Sequence, residues 1–273
     1  AILSRRFAAA VFPDHPYGRL PSVDTLASLT RDDLVDFHRR HYTAAAAVIS
    51  IVGDVSRGEA EAIATRRSDR LPYDPVENLS AFEMMLRLAV DDRPTHVDLI
   101  APHDRAKVAQ ASHLAEALRM YDTAYHAELD WWTAPFGATT GIPHSSLVSA
   151  AESDRVEVGR TFPVTHNRER RQHIGDDQAT IVVISAFDDT PRDILACGET
   201  LSVVLLEATG AGLASCTLTH VTEHPATRDI VSALTGHPLP QVLVRIGVAP
   251  VLDDVPPPTP RRPLSDVFHV RLE

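Results

Sequence analysis

The chain has 273 residues, 44% hydrophobic and 23% charged, with a formal net charge of −11. That length allows one large domain or two small ones, each with a real core. The acidic balance argues against general nucleic-acid or anionic-membrane binding, and no apolar run approaches the roughly 20 residues that cross a bilayer.

The start, "AILSRRFAAAVF", has neither the apolar core nor the cleavage site of a secretory signal, so a cytoplasmic location is expected. The first residue is not Met, as in a fragment or a processed chain. Cys197 and Cys216 lie far apart in apolar sequence and read as buried thiols rather than a disulfide. Lys107 is the sole lysine, so nearly all positive charge is arginine. That bias is typical of GC-rich coding and gives any arginine cluster here a bland explanation.

In chain order, "SLTRDDLVDFHRRHY" (28–42) is predicted as a helix capped by Thr30, with Asp32 and Asp33 near its positive end. "AAAAVISIVGDV" (44–55) is predicted as a buried strand. Helices are predicted at "GEAEAIATRRS" and at 77–90, separated by "LPYDP", and a strand at 95–101. One long amphipathic helix is predicted over 104–132. From 133 to 177 no periodicity stands out beyond a short helix at "SSLVSAAESD", and a segment of this length is expected to be a lid.

Beyond it come a buried strand at 179–187 and a helix at 191–212, with Pro early and Gly at its end. Ile194, Cys197, Leu201, Val204, Leu205 and Ala208 form the helix's apolar face. Strands at 213–221 and 241–250 flank the helix "PATRDIVSALTG". The chain closes in a proline-stiffened tail, "PPPTPRRPLSDVFHV".

Several motifs fail on their chemistry. A zinc peptidase needs two imidazoles and a glutamate on one helical face, and "HRRHY" supplies His38 and His41 without the glutamate. "TGAGLAS" has the glycines of a dinucleotide loop but follows a helix instead of a strand, so the glycines read as helix terminators. His144 beside Ser145 and Ser146 lacks the spacing of a nucleophile and its base. No side-chain nucleophile and no metal-ligand set is predicted.

Two arginine clusters remain: "TRRSDRLPY", with Arg66, Arg67 and Arg70 around Ser68, and "PRRP", with Arg261 and Arg262. Guanidinium groups hold phosphate through paired hydrogen bonds, and a serine hydroxyl adds a donor. Alone, each cluster is ordinary solvated surface.

From about Glu59 to Glu273 the chain resembles the FMN-dependent nitroreductase family, and most closely its mycobacterial Acg type. The resemblance rests on "RRSDRLPY", "YHAELDWWTAPF", "GIPHSSLVSAAESDRVEVGRTFP", "ACGETLSVVLLEATGAGLASCTLTH" and "TPRRPLSDVFHV". It implies an α+β fold with helices around a largely antiparallel sheet, FMN as cofactor and NAD(P)H as electron donor. A nitro or quinone compound would be the small-molecule acceptor. It also implies an FMN phosphate held by Arg66, Ser68 and Arg261, with Arg67, Arg70 and Arg262 as neighbours. Gly212, Leu213, Ala214 and Ser215 would form the turn past the flavin, with Thr219 and His220 beside its ring. In this family the ring site lies between two subunits, so a homodimer is possible.

Residues 7–57 resemble a different family, the M16 metallopeptidases, through "FPDHPYGR", "LTRDDLVDFHRRHY" and "VGDV". That family's zinc motif is absent, so peptidase activity is not expected. The domain expectation is an M16-like fragment at 1–57 and a nitroreductase-like domain at 58–273. The motif "APS-x-HN-x-QPW", which Acg-type proteins carry in their first half, is also absent. Three functions stay open: an FMN-dependent oxidoreductase, a flavin-sequestering protein without turnover, and a remnant that binds no cofactor.

Overall fold

The computed structural model describes residues 28–33, 36, 56–133, 141–143, 146–163, 165 and 169–249. The chain divides into two units, Ala1–Asp54 and Val55–Glu273. In the first, residues 31–33 and 36 are helical. The Thr30 hydroxyl accepts the Asp33 N–H at 3.2 Å while the Asp33 carboxylate accepts the Thr30 N–H at 2.9 Å, the cap expected there. The remainder of the 28–42 helix and the whole predicted strand at 44–55 lie outside the described residues.

The second unit opens with α1 (Arg57–Thr65), started by a reciprocal cap between Ser56 and Glu59. There follow α2 (Leu79–Val90), β1 (Thr95–Leu99) and, after a 3₁₀ turn, α3 (Arg105–Leu118). Then come α4 (Thr123–Thr133), α5 (Ala150–Asp154), β2 (Thr180–Ala186), α6 (Pro191–Gly210), β3 (Ala214–Leu218), α7 (Pro225–Thr235) and β4 (Pro240–Gly247). The four strands form one antiparallel sheet in the order β1-β2-β4-β3. The α+β class expected from sequence is the one observed.

Strand alternation sorts the core into two layers. Val182, Ile184, Val242, Val244 and Ile246 face α2 and α6, packing on Phe82, Leu86, Val204 and Leu205. Ile181, Val183, Leu243, Cys216 and Leu218 face the other way, onto Val108 and Ala111 of α3 and Val231 of α7. Both cysteines are free and buried. Burial, helped by Asp193, pushes the Cys197 thiol up to about 11.

Two sequence expectations need correction. The single helix over 104–132 is two, because Asp122 offers its carboxylate to the Tyr125 N–H at 3.0 Å and so starts α4 afresh. Ile194 is 47% exposed, and Ala196 and Thr200 take buried positions on α6 instead.

The segment 133–177 is partly anchored. Ser149 and Glu152 cap α5 reciprocally, and Leu147, Glu152, Val158 and Arg171 are all buried. Burial of Glu152 favours its neutral form. The N–H groups of Arg170 and Ser149, the Ser149 hydroxyl and the Arg170 charge outweigh it and hold the carboxyl below its usual range.

Candidate functional site

The stretch 66–73 runs extended beside the open edge of β3. Ser68 bridges Ser215 in parallel, and the Asp69 N–H donates to the Ser215 carbonyl at 2.9 Å. Side chains in an extended chain alternate, and here one set is locked inward. The Asp69 carboxylate takes Arg171 Nη2 at 2.5 Å, Leu71 is buried, and Tyr73 is fully buried with its hydroxyl on the Asp69 carbonyl. Arg70, of the other set, is left facing a cavity.

Beneath Tyr73 lies a buried ion pair that sequence reasoning did not single out. Asp177, with no exposed side-chain surface, accepts Arg245 Nη2 at 2.7 Å and Nε at 3.2 Å, Arg105 Nη2 at 2.9 Å and the Tyr73 N–H at 2.8 Å. Burial alone would favour neutral Arg245, but Asp177 outweighs it and holds the guanidinium firmly charged. Arg245 also lies 4.7 Å under the Tyr73 ring. The readable signal was a lone arginine inside "QVLVRIGV", a strand otherwise apolar on both faces.

The cavity measures about 670 Å³, within the range of small-molecule sites. Its walls, among the described residues, include Arg70, Ser112 of α3, Arg160, Phe162, Thr219 and His220. The Arg70 guanidinium sits 4.7 Å over the Phe162 ring and has no carboxylate partner among the described residues. His220 is wholly buried. Its Nε2 lies 2.9 Å from the Ser112 hydroxyl, while its Nδ1 has no hydrogen-bond partner among the described residues. Burial, reinforced by the charges of Arg160 and Arg119, brings its pKa down to about 4, so the ring is neutral at pH 7. Thr219 donates to Glu223 Oε1 at 2.6 Å, and Glu223 pairs with Arg119 at 2.6 Å.

The structure therefore brings Arg70, Thr219 and His220 to one cavity. Ser68 and Ser215 are backbone neighbours at its side. Arg66, at the end of α1, and Arg67 do not line it among the described residues, and neither do Gly212 and Leu213. Gly212 adopts φ +74°, which suits a glycine closing the turn after α6, and Leu213 packs on the core between α6 and the sheet. Arg261 and Arg262 lie outside the described residues, as do His38, His41, His144 and Ser145. Ser112, Arg160 and Phe162 are wall residues that sequence reasoning missed, because nothing in local spacing relates them to residue 220.

A family model described as "Peptidase M16 inactive domain" matches residues 28–124. A protein of Mycobacterium tuberculosis named "Putative NAD(P)H nitroreductase acg" is 53% identical over 218 residues, covering 80% of this chain and 66% of that protein. A second, uncharacterized protein of Mycobacterium tuberculosis is 48% identical over 216 residues, covering 79% of this chain and 63% of that protein. The chain thus spans about two thirds of the length of these relatives. Among solved structures, the FMN and NADPH-dependent nitroreductase NfnB from a Sphingopyxis strain superposes with a TM-score of 0.51 at 16% identity. That superposition covers 80% of this chain and all of NfnB, and supports the fold. The M16 match and the 218-residue match necessarily share residues. The M16 match spans α1 to α3, which belong to the same unit as β2, β3 and β4. Over the part matched by these relatives, the chain belongs to the nitroreductase family, of the mycobacterial Acg type, with M16-like sequence toward its N-terminal end.

Proposed function

We propose that this chain is an FMN-dependent NAD(P)H oxidoreductase that reduces a nitro or quinone acceptor. One observation carries the reading: a cavity of about 670 Å³ in which Arg70, from the arginine segment, meets Thr219 and His220, from beyond β3. These residues lie far apart in sequence, and the resemblance assigned them independently to one flavin site.

The residues present fit FMN. Arg70 is a cation without a carboxylate partner, and the Ser68–Ser215 bridge holds its segment at the sheet edge. Arg66, Ser68 and Arg261 would hold the phosphate, with Arg67, Arg70 and Arg262 adding positive field. Thr219 and a neutral His220 would line the ring, beyond the strand into which the Gly212–Ser215 turn leads. FMN, when bound, supplies hydride acceptance from NAD(P)H and electron delivery to the acceptor. The chain's own part is to bind, orient and exclude water. Segment 133–177 supplies Val156, Arg160 and Phe162 to the wall and would serve as a lid.

The 273 residues carry no "APS-x-HN-x-QPW" motif, and that favours a second reading, a flavin-sequestering protein without turnover. Purified protein is expected to be yellow and to bleach under anaerobic NADPH. Yellow protein that NAD(P)H does not bleach supports sequestration, and colourless protein that takes up no FMN overturns both. Arg66→Ala with Arg261→Ala is expected to weaken FMN by about tenfold or more while leaving riboflavin nearly unchanged. Equal weakening of both flavins refutes the phosphate assignment.

A further inference from the structure

Beside the main cavity lies a smaller one of about 170 Å³, enclosed by Tyr125, Leu129, Trp132, Ile142, Arg160 and Phe162, with Glu128 at its edge. The two cavities share Arg160 and Phe162. A space on the order of 150 Å³ accommodates one benzene-sized ring, and this one is walled by three aromatic side chains.

The charge pattern inside it is specific. Arg160 lies 4.9 Å over the Tyr125 ring, and its Nε donates to the Tyr125 hydroxyl at 3.0 Å. That hydroxyl in turn donates to Glu116 at 3.4 Å. Among the described residues, the two terminal nitrogens of Arg160 make no hydrogen bond and no carboxylate lies within ion-pair distance. Of the nearby acids, Glu223 feels the Arg160 charge but pairs directly with Arg119 at 2.6 Å, and Glu128 accepts the Trp132 indole N–H at 3.3 Å at an exposed edge. A guanidinium with a free fork beside an aromatic slot selects a planar ring bearing a carboxylate, sulfonate or phosphate.

We propose that the Tyr125–Trp132–Phe162 slot is a ring subsite in which Arg160 selects anionic aromatic ligands, and that its occupant is the electron acceptor. This rests on the oxidoreductase reading for the identity of the occupant, but not for the chemistry of the subsite. The adenine half of a phosphorylated dinucleotide shares that chemistry, and the test separates the two.

The test uses the full chain. Trp131 and Trp132 are its only tryptophans, so Trp131→Phe leaves Trp132 as the sole indole reporter. Quenching of Trp132 by 4-nitrobenzoate is expected at a concentration about tenfold below that needed for neutral 4-nitrobenzamide. Arg160→Gln should lower affinity for the acid far more than for the amide and so remove that preference, and Arg160→Lys should restore part of it. In turnover with NADPH, the same ratio should appear in kcat/KM. Equal binding of acid and amide, or equal loss of both in Arg160→Gln, overturns the subsite. Arg160-dependent quenching by adenosine 2′,5′-bisphosphate with none by nitrobenzoate overturns the acceptor assignment. Discrimination by fluorescence without turnover leaves the subsite standing and sinks the oxidoreductase reading.

Discussion

His220 shows how one residue's surroundings set its chemistry. Its ring is fully buried, held by Ser112 on one side and beside the fields of Arg160 and Arg119. The folded-state pKa of about 4 lies below the ordinary 6.5, so between those values the unfolded chain binds the extra proton. Stability is therefore present above pH 6.5 and falls as pH drops toward 4, by an upper limit of about 3 kcal/mol from this group. The lowered carboxyls of Glu152 and Glu223 act below their own ordinary range, but His96, also held below 6.5 by burial, shares the interval from 6.5 to about 5, so the contrast with a His220 variant carries the assignment. Urea midpoints across that interval should fall for the native chain and stay flatter for His220→Gln. An equal slope in both sinks the assignment. The sequence marked this residue only by likeness, because its partner Ser112 stands 108 positions away. The Asp177–Arg245 pair was hidden for the same reason: a buried network joins side chains that no local period relates.

The elements were far more legible. Helical spacing gave both helix layers, since each helix buries one face and its period records that face, while β2 and β4 stood out as continuous apolar runs because both of their faces are covered. The failures have local causes. Asp122 outcompeted the helix at a position whose amphipathic pattern ran on unbroken, and Ile194, in the first turn of α6, is left exposed while Ala196 and Cys197 just beyond it are buried. Gly247 ends β4 for a reason the sequence could not show. A Cβ there would stand 2.6 Å from Tyr73 Cβ and 2.8 Å from the Asp74 carbonyl oxygen. The double hydrogen bond between Asp74 and Val248 fixes that backbone, so it cannot retreat. Gly247→Ala is expected to cost about 1–3 kcal/mol by overpacking and to loosen the 66–73 segment with it. Chemical denaturation should show the loss and FMN affinity should fall alongside. An unchanged urea midpoint refutes the close-approach argument.

At the scale of the whole molecule, the question is what the N-terminal unit contributes. Every described residue around the two cavities lies between 70 and 245, inside the unit Val55–Glu273. The helix that opens this unit carries its own cap, because Ser56 bonds the Glu59 N–H while Glu59 accepts the Ser56 N–H at 2.7 Å. The sheet and both of its helix layers draw on residues from Phe82 onward. A chain beginning at Val55 thus keeps its first helix cap, its core and its cavity walls. It is expected to fold with an unchanged urea midpoint and to bind FMN within about twofold of the full chain, since every described wall of the cavities is retained. Flavin titration of the two chains side by side decides the matter. A large loss on truncation would overturn the assignment of flavin binding to the unit Val55–Glu273 alone.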